Sequence, residues 1–169
     1  MIDLEDDLHI LVAGPDEASG IAEIYTESIL AMDSTMVLAG VSTEDMRAKL
    51  DSLDPRETIL AAYLKGTFVG WGIVKLYSDR PGYRLTCETS LFLRRDRRGR
   101  GIGSRLQEAL IQQARDSGFH HIIVRIWAAN KQSIGMHAKF GFEMVGVQKE
   151  VGHVDGRWID VAVMQCILN

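Results

Sequence analysis

A glycine- and arginine-rich turn reads Arg98-Gly99-Arg100-Gly101-Ile102-Gly103-Ser104. It follows the apolar run Leu91-Phe92-Leu93, which is typical of a strand, and it opens a helical pattern that extends from residue 102 to residue 114. Such a turn directs several backbone N–H groups outward at the positive end of the helix dipole. Glycine has no Cβ, so a bulky anion can approach this backbone closely. The turn therefore predicts an anion site whose usual ligand is a phosphate.

The spacing of the glycines excludes two common nucleotide-binding loops. No Gly-Lys-Ser/Thr follows, so the turn is not a Walker A loop, and Ser104-Arg105 stand where G-x-G-x-x-G would continue. The same spacing also fits a loop that only caps the helix, with its arginines in solvent. Spacing alone leaves these two interpretations open.

Length, composition and charge limit the class of protein. The 169 residues, with 46% hydrophobic and 25% charged residues, predict one soluble domain spanning residues 1–169. A sequence pI of about 5.7 argues against a nucleic-acid partner. No apolar run approaches the roughly 20 residues of a membrane span. The acidic start, residues 1–7, lacks the basic residues of a secretory signal, so we expect a cytoplasmic protein.

The pattern of helices and strands predicts an α/β (α+β) protein in the order α, α, β, β, β, α, β, α, β, β. The predicted helices begin near residue 21, at the capping box Ser42-Thr43-Glu44-Asp45, at 102 and at 133. The predicted strands cover 58–64, 67–76, 83–93, 121–127, 142–147 and 158–167. The helix between strands 83–93 and 121–127 makes a βαβ unit, so these two strands are expected to be parallel neighbours. The other strand pairs are expected to be antiparallel.

Two motifs together resemble the GNAT superfamily of N-acetyltransferases. Arg98-x-x-Gly101-x-Gly103 after a strand is similar to that family's acetyl-CoA pyrophosphate motif. Asn130-Lys131-Gln132-Ser133, followed by His137-Ala138-Lys139-Phe140-Gly141-Phe142, resembles the family's second signature at the expected distance. The resemblance implies the GNAT fold, which is a central, mixed, mostly antiparallel twisted sheet. Helices cover both faces of that sheet, and a parallel strand pair splays apart at the cofactor site.

A closer resemblance covers almost the whole chain. Arg80-Pro81-Gly82-Tyr83, Thr86-x-Glu88 and the tail Val151-Gly152-His153 with 156–161 are similar to the phosphinothricin and methionine sulfoximine N-acetyltransferase branch. This likeness implies direct transfer of acetyl from acetyl-CoA to the α-amine of a small amino-acid-like substrate. It also implies a homodimer, with the region 152–158 near the partner's active site. Residues 34–37 and Leu85 depart from the branch pattern where the substrate pocket should lie, so phosphinothricin itself does not follow as the substrate.

The resemblance assigns cofactor contacts to three segments. Leu91, Phe92 and Leu93 would offer backbone groups to the pantetheine arm, since a splayed strand leaves such groups unpaired. Asn130 and Ser133 would contact the cofactor near the last helix, although without the resemblance they fit a loop residue and an N-cap. The residues that would hold the pyrophosphate are Arg98, Gly99, Arg100, Gly101, Ile102, Gly103 and Ser104.

The remaining site residues follow from the same resemblance. Glu88 would take a proton from the substrate ammonium, because an ammonium cannot attack; the alternative is an exposed salt bridge. His137 could act as acid to the thiolate or as base to the amine, or it could pack on the helix with a backbone hydrogen bond. Arg80 could pair with a substrate carboxylate and Tyr83 could supply a hydroxyl or an aromatic wall. His120-His121 lacks partners at metal-ligand spacing, so no metal is predicted.

Two other functions remain compatible with the sequence. A protein N-terminal or lysine acetyltransferase would need an open groove for a peptide, against which the Arg80, Tyr83 and tail motifs argue. A non-catalytic acyl-CoA sensor would keep the glycine turn and lose the chemistry, against which the presence of Glu88 and His137 argues.

Overall fold

The computed structural model describes residues 7–169. The acidic residues 1–6, which entered the prediction of location, lie outside the described part. The described chain forms four helices, α1 to α4, which are Ala18–Ala31, Thr43–Asp51, Ile102–Asp116 and Lys131–Lys139. Its seven strands, β1 to β7, are Leu8–Val12, Thr58–Leu64, Thr67–Leu76, Thr86–Leu93, His121–Trp127, Glu143–Val154 and Arg157–Ile167.

One sheet contains all of these strands in the order β1-β2-β3-β4-β5-β7-β6. Only β4 and β5 are parallel among the described strands; every other neighbouring pair is antiparallel. The parallel pair is joined by α3, as the predicted βαβ unit requires. The predicted mixed and mostly antiparallel sheet is therefore confirmed.

Helices cover both faces of the sheet because neighbouring strand residues point to opposite sides. In β2, Ile59 packs with α1 and α2, whereas Leu60 packs with α3. The α3 stripe consists of Ile102, Leu106, Leu110 and Ala114, each with no exposed surface. This spacing of four residues is the buried helical face that the sequence predicts.

The parallel strands separate halfway along their length. Pairing of β4 with β5 ends at Glu88↔Ile123, whereas β4 remains paired with β3 as far as Leu93↔Gly70. The residues of β4 beyond Glu88 therefore have a strand partner on one side only. A gap opens between the carboxyl ends of β4 and β5, directly before the glycine turn.

Three of the differences from the sequence prediction concern strands β1, β4 and β6. Strand β1 was not predicted, because Leu11 and Val12 are apolar and exposed and so hide the alternation of a half-buried strand. Strand β4 begins at Thr86 rather than at residue 83, because Pro81–Tyr83 forms a 3-10 turn in which the Tyr83 amide donates to the Arg80 carbonyl. Strand β6 continues to Val154 through two register shifts that interrupt its alternation.

Candidate active site

A cavity of about 530 Å³ occupies the gap between the splayed strands. Its walls come from the ends of β4 and β5, from the turn before α3 and from α4. Nine of the twelve predicted cofactor residues line it: Leu91, Phe92, Leu93, Arg98, Gly99, Gly103, Ser104, Asn130 and Ser133. Arg100, Gly101 and Ile102 are not part of this wall; Ile102 lies in the core and Arg100 is exposed.

The glycine turn presents backbone amides to this cavity. Gly99 and Gly101 have φ angles of 74° and 82°, a left-handed conformation that favours glycine. The first helical hydrogen bond of α3 runs from the Arg105 amide to the Gly101 carbonyl (3.2 Å). The amides of residues 102–104 precede that bond and so have no acceptor one turn earlier. This geometry suits the start of α3 to the binding of an anion.

Most of the arginines around the turn are already paired. Arg94 binds Glu23 (2.8 Å), and Arg95 binds both carboxylate oxygens of Asp33. Arg97 lies 3.5 Å from its neighbour Asp96. Within residues 7–169, Arg98 and Arg100 have no acidic partner within 4 Å. Arg98 is half-buried in the cavity wall, where burial and then the charge of Arg95 lower its pKa.

Acetyl-CoA fits the residues of this first cavity. Its diphosphate needs amide donors, positive charge and close approach to the backbone, which the turn and Arg98 provide. At Gly103 an added Cβ would lie 3.3 Å from Leu93 and 3.5 Å from Met136, so the backbone there is open only because the residue is glycine. The amide groups of the pantetheine arm can form hydrogen bonds with the backbone along the side of β4 that has no strand partner.

A second cavity of about 680 Å³ meets the first at the same strands. Ser34, Ser90, Phe92, Arg125 and Trp127 line both cavities. The second cavity also has an aromatic wall in which Tyr25, Trp71 and Phe92 contact one another at ring distances of 4.9–5.4 Å. A ligand in the second cavity therefore reaches the end of a ligand in the first.

Glu88 lies in the wall of the second cavity and is only 9% exposed. Arg125 donates from Nη1 to its Oε2 atom at 2.6 Å, and Lys75 Nζ lies 3.5 Å from Oε1. Lys75 is the cross-strand partner of Glu88 in β3, and Arg125 is on β5 just beyond the last parallel pair. The splay of the two strands thus places a carboxylate and two cations at the opening.

His137 lies on α4 and is 5% exposed. Its Nδ1 atom is 2.8 Å from the Ser133 carbonyl oxygen, which fixes Nδ1 as the donor, and its ring packs edge-on against Phe142. Burial lowers the pKa of this imidazole, although the bond to Ser133 opposes the shift. The neutral ring therefore has a lone pair on Nε2, and His137 lines the first cavity.

The residue that caps the N-terminus of α4 differs from the one that the sequence suggested. Asn130, rather than Ser133, is the N-cap: its Oδ1 accepts from the Ser133 amide at 3.1 Å. The helix consequently begins at Lys131, two residues before the predicted start.

Arg80 and Tyr83 are exposed and are not among the residues that line the two cavities. Tyr83 packs edge-on against Tyr77 (5.2 Å), and the Tyr77 ring lies 5.8 Å from the guanidinium of Arg125. The substrate-binding role of Arg80 and Tyr83 stays a prediction.

Arg125, Lys75 and the aromatic wall were not predicted from the sequence as parts of a site. The sequence does mark Arg125 as a candidate, since it is the single charged residue among the apolar ones of Ile122–Trp127. Lys75 has no such signal, because its contact with Glu88 depends on the register of β3 against β4. The aromatic wall joins residues that are far apart in the chain.

The described part of the chain has neither a metal-binding cluster nor a membrane-spanning helix. Residues 7–169 contain no group of three or more His, Cys, Asp and Glu side chains that could hold a metal ion. No helix in the same range is long and apolar enough to cross a membrane.

Comparison with known proteins agrees with this geometry. A model of the acetyltransferase (GNAT) family matches residues 23–142. The L-methionine sulfoximine/L-methionine sulfone acetyltransferase of Pseudomonas aeruginosa is 32% identical over 162 residues, covering 93% of this chain and 92% of that protein. The phosphinothricin N-acetyltransferase of Alcaligenes faecalis is 31% identical, covering 95% of this chain and 82% of its own.

A solved structure extends the likeness to three dimensions. The GNAT superfamily phosphinothricin acetyltransferase from Sinorhizobium meliloti, in complex with AcCoA, superposes with a TM-score of 0.91 at 30% identity. The superposition covers 96% of this chain and 89% of that one. The chain therefore belongs to the acetyltransferase (GNAT) family. The predicted family, fold class and enzyme class, an acetyl-CoA-dependent N-acetyltransferase, are confirmed.

Proposed function

We propose that this enzyme transfers the acetyl group of acetyl-CoA directly to the α-amine of a small amino-acid-like substrate. The observation that carries the proposal is the junction of the two cavities, where Glu88 and Arg125 lie together. The first cavity has the chemistry of a CoA site, and the second has an apolar wall and a carboxylate. The names of the relatives from Pseudomonas and Alcaligenes support a substrate of this kind.

The cofactor would be held along the first cavity. The amides at the start of α3 and the side chain of Arg98 would bind the pyrophosphate, and residues 91–93 would offer backbone groups to the pantetheine arm. Asn130 and Ser133 would lie beside it at the start of α4. When bound there, acetyl-CoA supplies an activated thioester.

Glu88 would accept a proton from the substrate ammonium, since only the neutral amine can attack. The amine nitrogen would then form a C–N bond to the acetyl carbon while the C–S bond breaks, so that the sulfur leaves as a thiolate and the nitrogen gives up a second proton. His137 presents a neutral Nε2 to the first cavity, which suits acceptance of a proton better than donation. Glu88 is thus proposed as the base toward the ammonium, and His137 as the acceptor of the second proton that the nitrogen loses on forming the amide.

The test is free-thiol release from acetyl-CoA by purified protein with a panel of amines. The panel contains methionine sulfoximine, methionine sulfone, phosphinothricin, ordinary amino acids, polyamines and short peptides. We expect release with at least one amino acid or analogue and none with peptides. Release with peptides alone would establish a protein acetyltransferase instead. Binding of acetyl-CoA without release for any amine would support the sensor function.

We further infer that two copies of the chain associate. The resemblance to the phosphinothricin branch implies a homodimer, and the β6–β7 hairpin exposes apolar side chains that another surface could cover. Met144, Val151 and Trp158 are 48%, 55% and 65% exposed. Light scattering coupled to size exclusion tests this, with twice the chain mass of 18.8 kDa as the expected result. A single-chain mass at micromolar concentration would contradict it.

A further inference from the structure

We propose that Arg125 binds the carboxylate of the substrate while Glu88 faces its ammonium group; this inference rests on the proposed function. An α-amino acid carries these two charges on neighbouring atoms of one carbon. The pair Arg125–Glu88 carries the opposite charges on groups that are 2.6 Å apart. The charge pattern of the protein pair is therefore the complement of a zwitterionic amino acid.

The guanidinium of Arg125 has N–H groups that are free to bind a substrate. Nη1 donates to Glu88, whereas Nε and Nη2 take part in no hydrogen bond or ion pair within residues 7–169. The side chain is 47% exposed and lines both cavities, so the guanidinium lies where the two cavities meet. A guanidinium with two free N–H groups can accept a carboxylate through a forked contact.

The local charge balance also favours an anionic group on the substrate. Glu88 provides one negative charge against the positive charges of Lys75 and Arg125, so the cluster has an excess of one positive charge. A substrate carboxylate compensates that excess. A simple amine would add a further cation to the cluster and would leave Arg125 without an anion of its own.

The other cations of the second cavity are less suitable. Lys75 and Lys49 line only the second cavity and are absent from the wall that both cavities share. Lysine also lacks the planar fork of arginine. Arg80, which the sequence suggested for this contact, lies outside both walls. Arg125 is therefore the residue assigned to the carboxylate.

The experiment compares two substrates that differ only in the carboxylate. They are methionine sulfone and the primary amine in which hydrogen replaces its carboxylate. In the wild-type enzyme we expect kcat/KM to favour the amino acid by at least about tenfold. Arg125→Gln should lower kcat/KM for the amino acid at least about tenfold more than it lowers kcat/KM for the amine.

Lys75→Gln is the matched control, because it also removes a cation that lies beside Glu88. A role limited to holding Glu88 predicts equal losses for both substrates, and that is the result we expect for Lys75→Gln. The same equal losses for Arg125→Gln would overturn the proposal, as would a wild-type enzyme that does not distinguish the two substrates. Arg125→Lys keeps a positive charge and covers the case that Arg125→Gln does not fold; it should lower kcat/KM for the amino acid more than kcat/KM for the amine.

Binding measured by calorimetry separates this inference from the proposed function. Methionine sulfone should bind the wild type at least about tenfold more tightly than it binds Arg125→Gln. If binding shows this difference but no amine releases thiol, the carboxylate contact holds and the proposed function fails. If turnover occurs but both proteins bind methionine sulfone equally, the proposed function holds and the carboxylate contact is wrong.

Discussion

The Nδ1 atom of His137 donates to the carbonyl oxygen of Ser133, one helical turn earlier in α4. This 2.8 Å bond determines the tautomer of a ring whose pKa is lowered by burial. The ring is thus neutral, with its lone pair on Nε2. The sequence alone left acid, base and packing roles open for His137, and this hydrogen bond favours the acceptor over the acid.

His137→Asn distinguishes the roles of the two ring nitrogen atoms. The asparagine amide can replace Nδ1 as the donor to Ser133, but nothing replaces Nε2. If Nε2 accepts a proton during the reaction, kcat should fall by about 100-fold or more while the Kd for acetyl-CoA stays within about threefold. Steady-state kinetics and calorimetry measure these two quantities. An unchanged kcat would leave His137 with a packing role only.

Burial of His137 also predicts how stability depends on pH. The pKa of His137 in the folded state lies below its ordinary value of 6.5, so the unfolded chain takes up the proton first as pH falls. The stability from neutral His137 is fully present above about pH 6.5 and is lost as pH falls through the folded-state pKa. Wild type should therefore lose more free energy of unfolding than His137→Asn does between about pH 7.5 and 5.5.

Urea denaturation of the two proteins at both pH values gives the comparison. His9→Gln is the control, because His9 is an exposed histidine on β1, and this variant should follow the wild type. Parallel curves for wild type and His137→Asn would contradict a lowered pKa of His137.

Glu88→Gln tests the proposed base. The amide keeps the shape of the side chain but cannot accept the ammonium proton, so kcat should fall by about 10²- to 10⁴-fold. Glu88 lines the second cavity rather than the first, so the Kd for acetyl-CoA should hardly change. Glu143→Gln, on an exposed position of β6 outside both cavities, should leave both quantities unaltered. Full turnover in Glu88→Gln would remove Glu88 from the mechanism.

Gly103→Val tests the glycine turn as the diphosphate site. An added Cβ at this position would contact Leu93 at 3.3 Å, and the methyl groups of valine would add bulk to the wall of the first cavity. We expect the Kd for acetyl-CoA to rise by at least about tenfold, because the diphosphate can no longer approach the amides. Gly82→Val is the matched control: a Cβ there meets open space, away from both cavities. Equal affinities in the two variants would place the diphosphate elsewhere.

Local patterns in the chain predicted much of the architecture. The ranges of β2, β3 and β5 agree with the predicted ones, since their apolar and β-branched residues end at clear turns. The Ser42–Asp45 capping box forms as predicted, with the Asp45 amide donating to Ser42 Oγ at 3.0 Å and the Ser42 amide donating to Asp45. These features depend on contacts within a few residues, so a single sequence contains their cause.

The candidate site, in contrast, could be predicted only in part from the sequence. Residues 91–104 and 130–137 are continuous motifs, and the structure brings most of them to one cavity. The second cavity was predicted only in part: residues 34–37, which the resemblance places at the substrate pocket, line it. Its aromatic wall was not predicted, because it combines Tyr25 from α1, Trp71 from β3 and Phe92 from β4. No local pattern connects three residues at such separations.

Glu88 shows most clearly which features followed from the sequence and which required the tertiary structure. Chain order and strand periodicity were enough to predict the βαβ unit, the glycine turn before α3 and a carboxylate on the strand that precedes it. The partners of that carboxylate followed only from the packed sheet: the register of β3 against β4 places Lys75 beside it, and the end of the β4–β5 pairing leaves Arg125 free to reach it. Strand periodicity is a local property of the backbone, whereas register and splay depend on how distant segments pack.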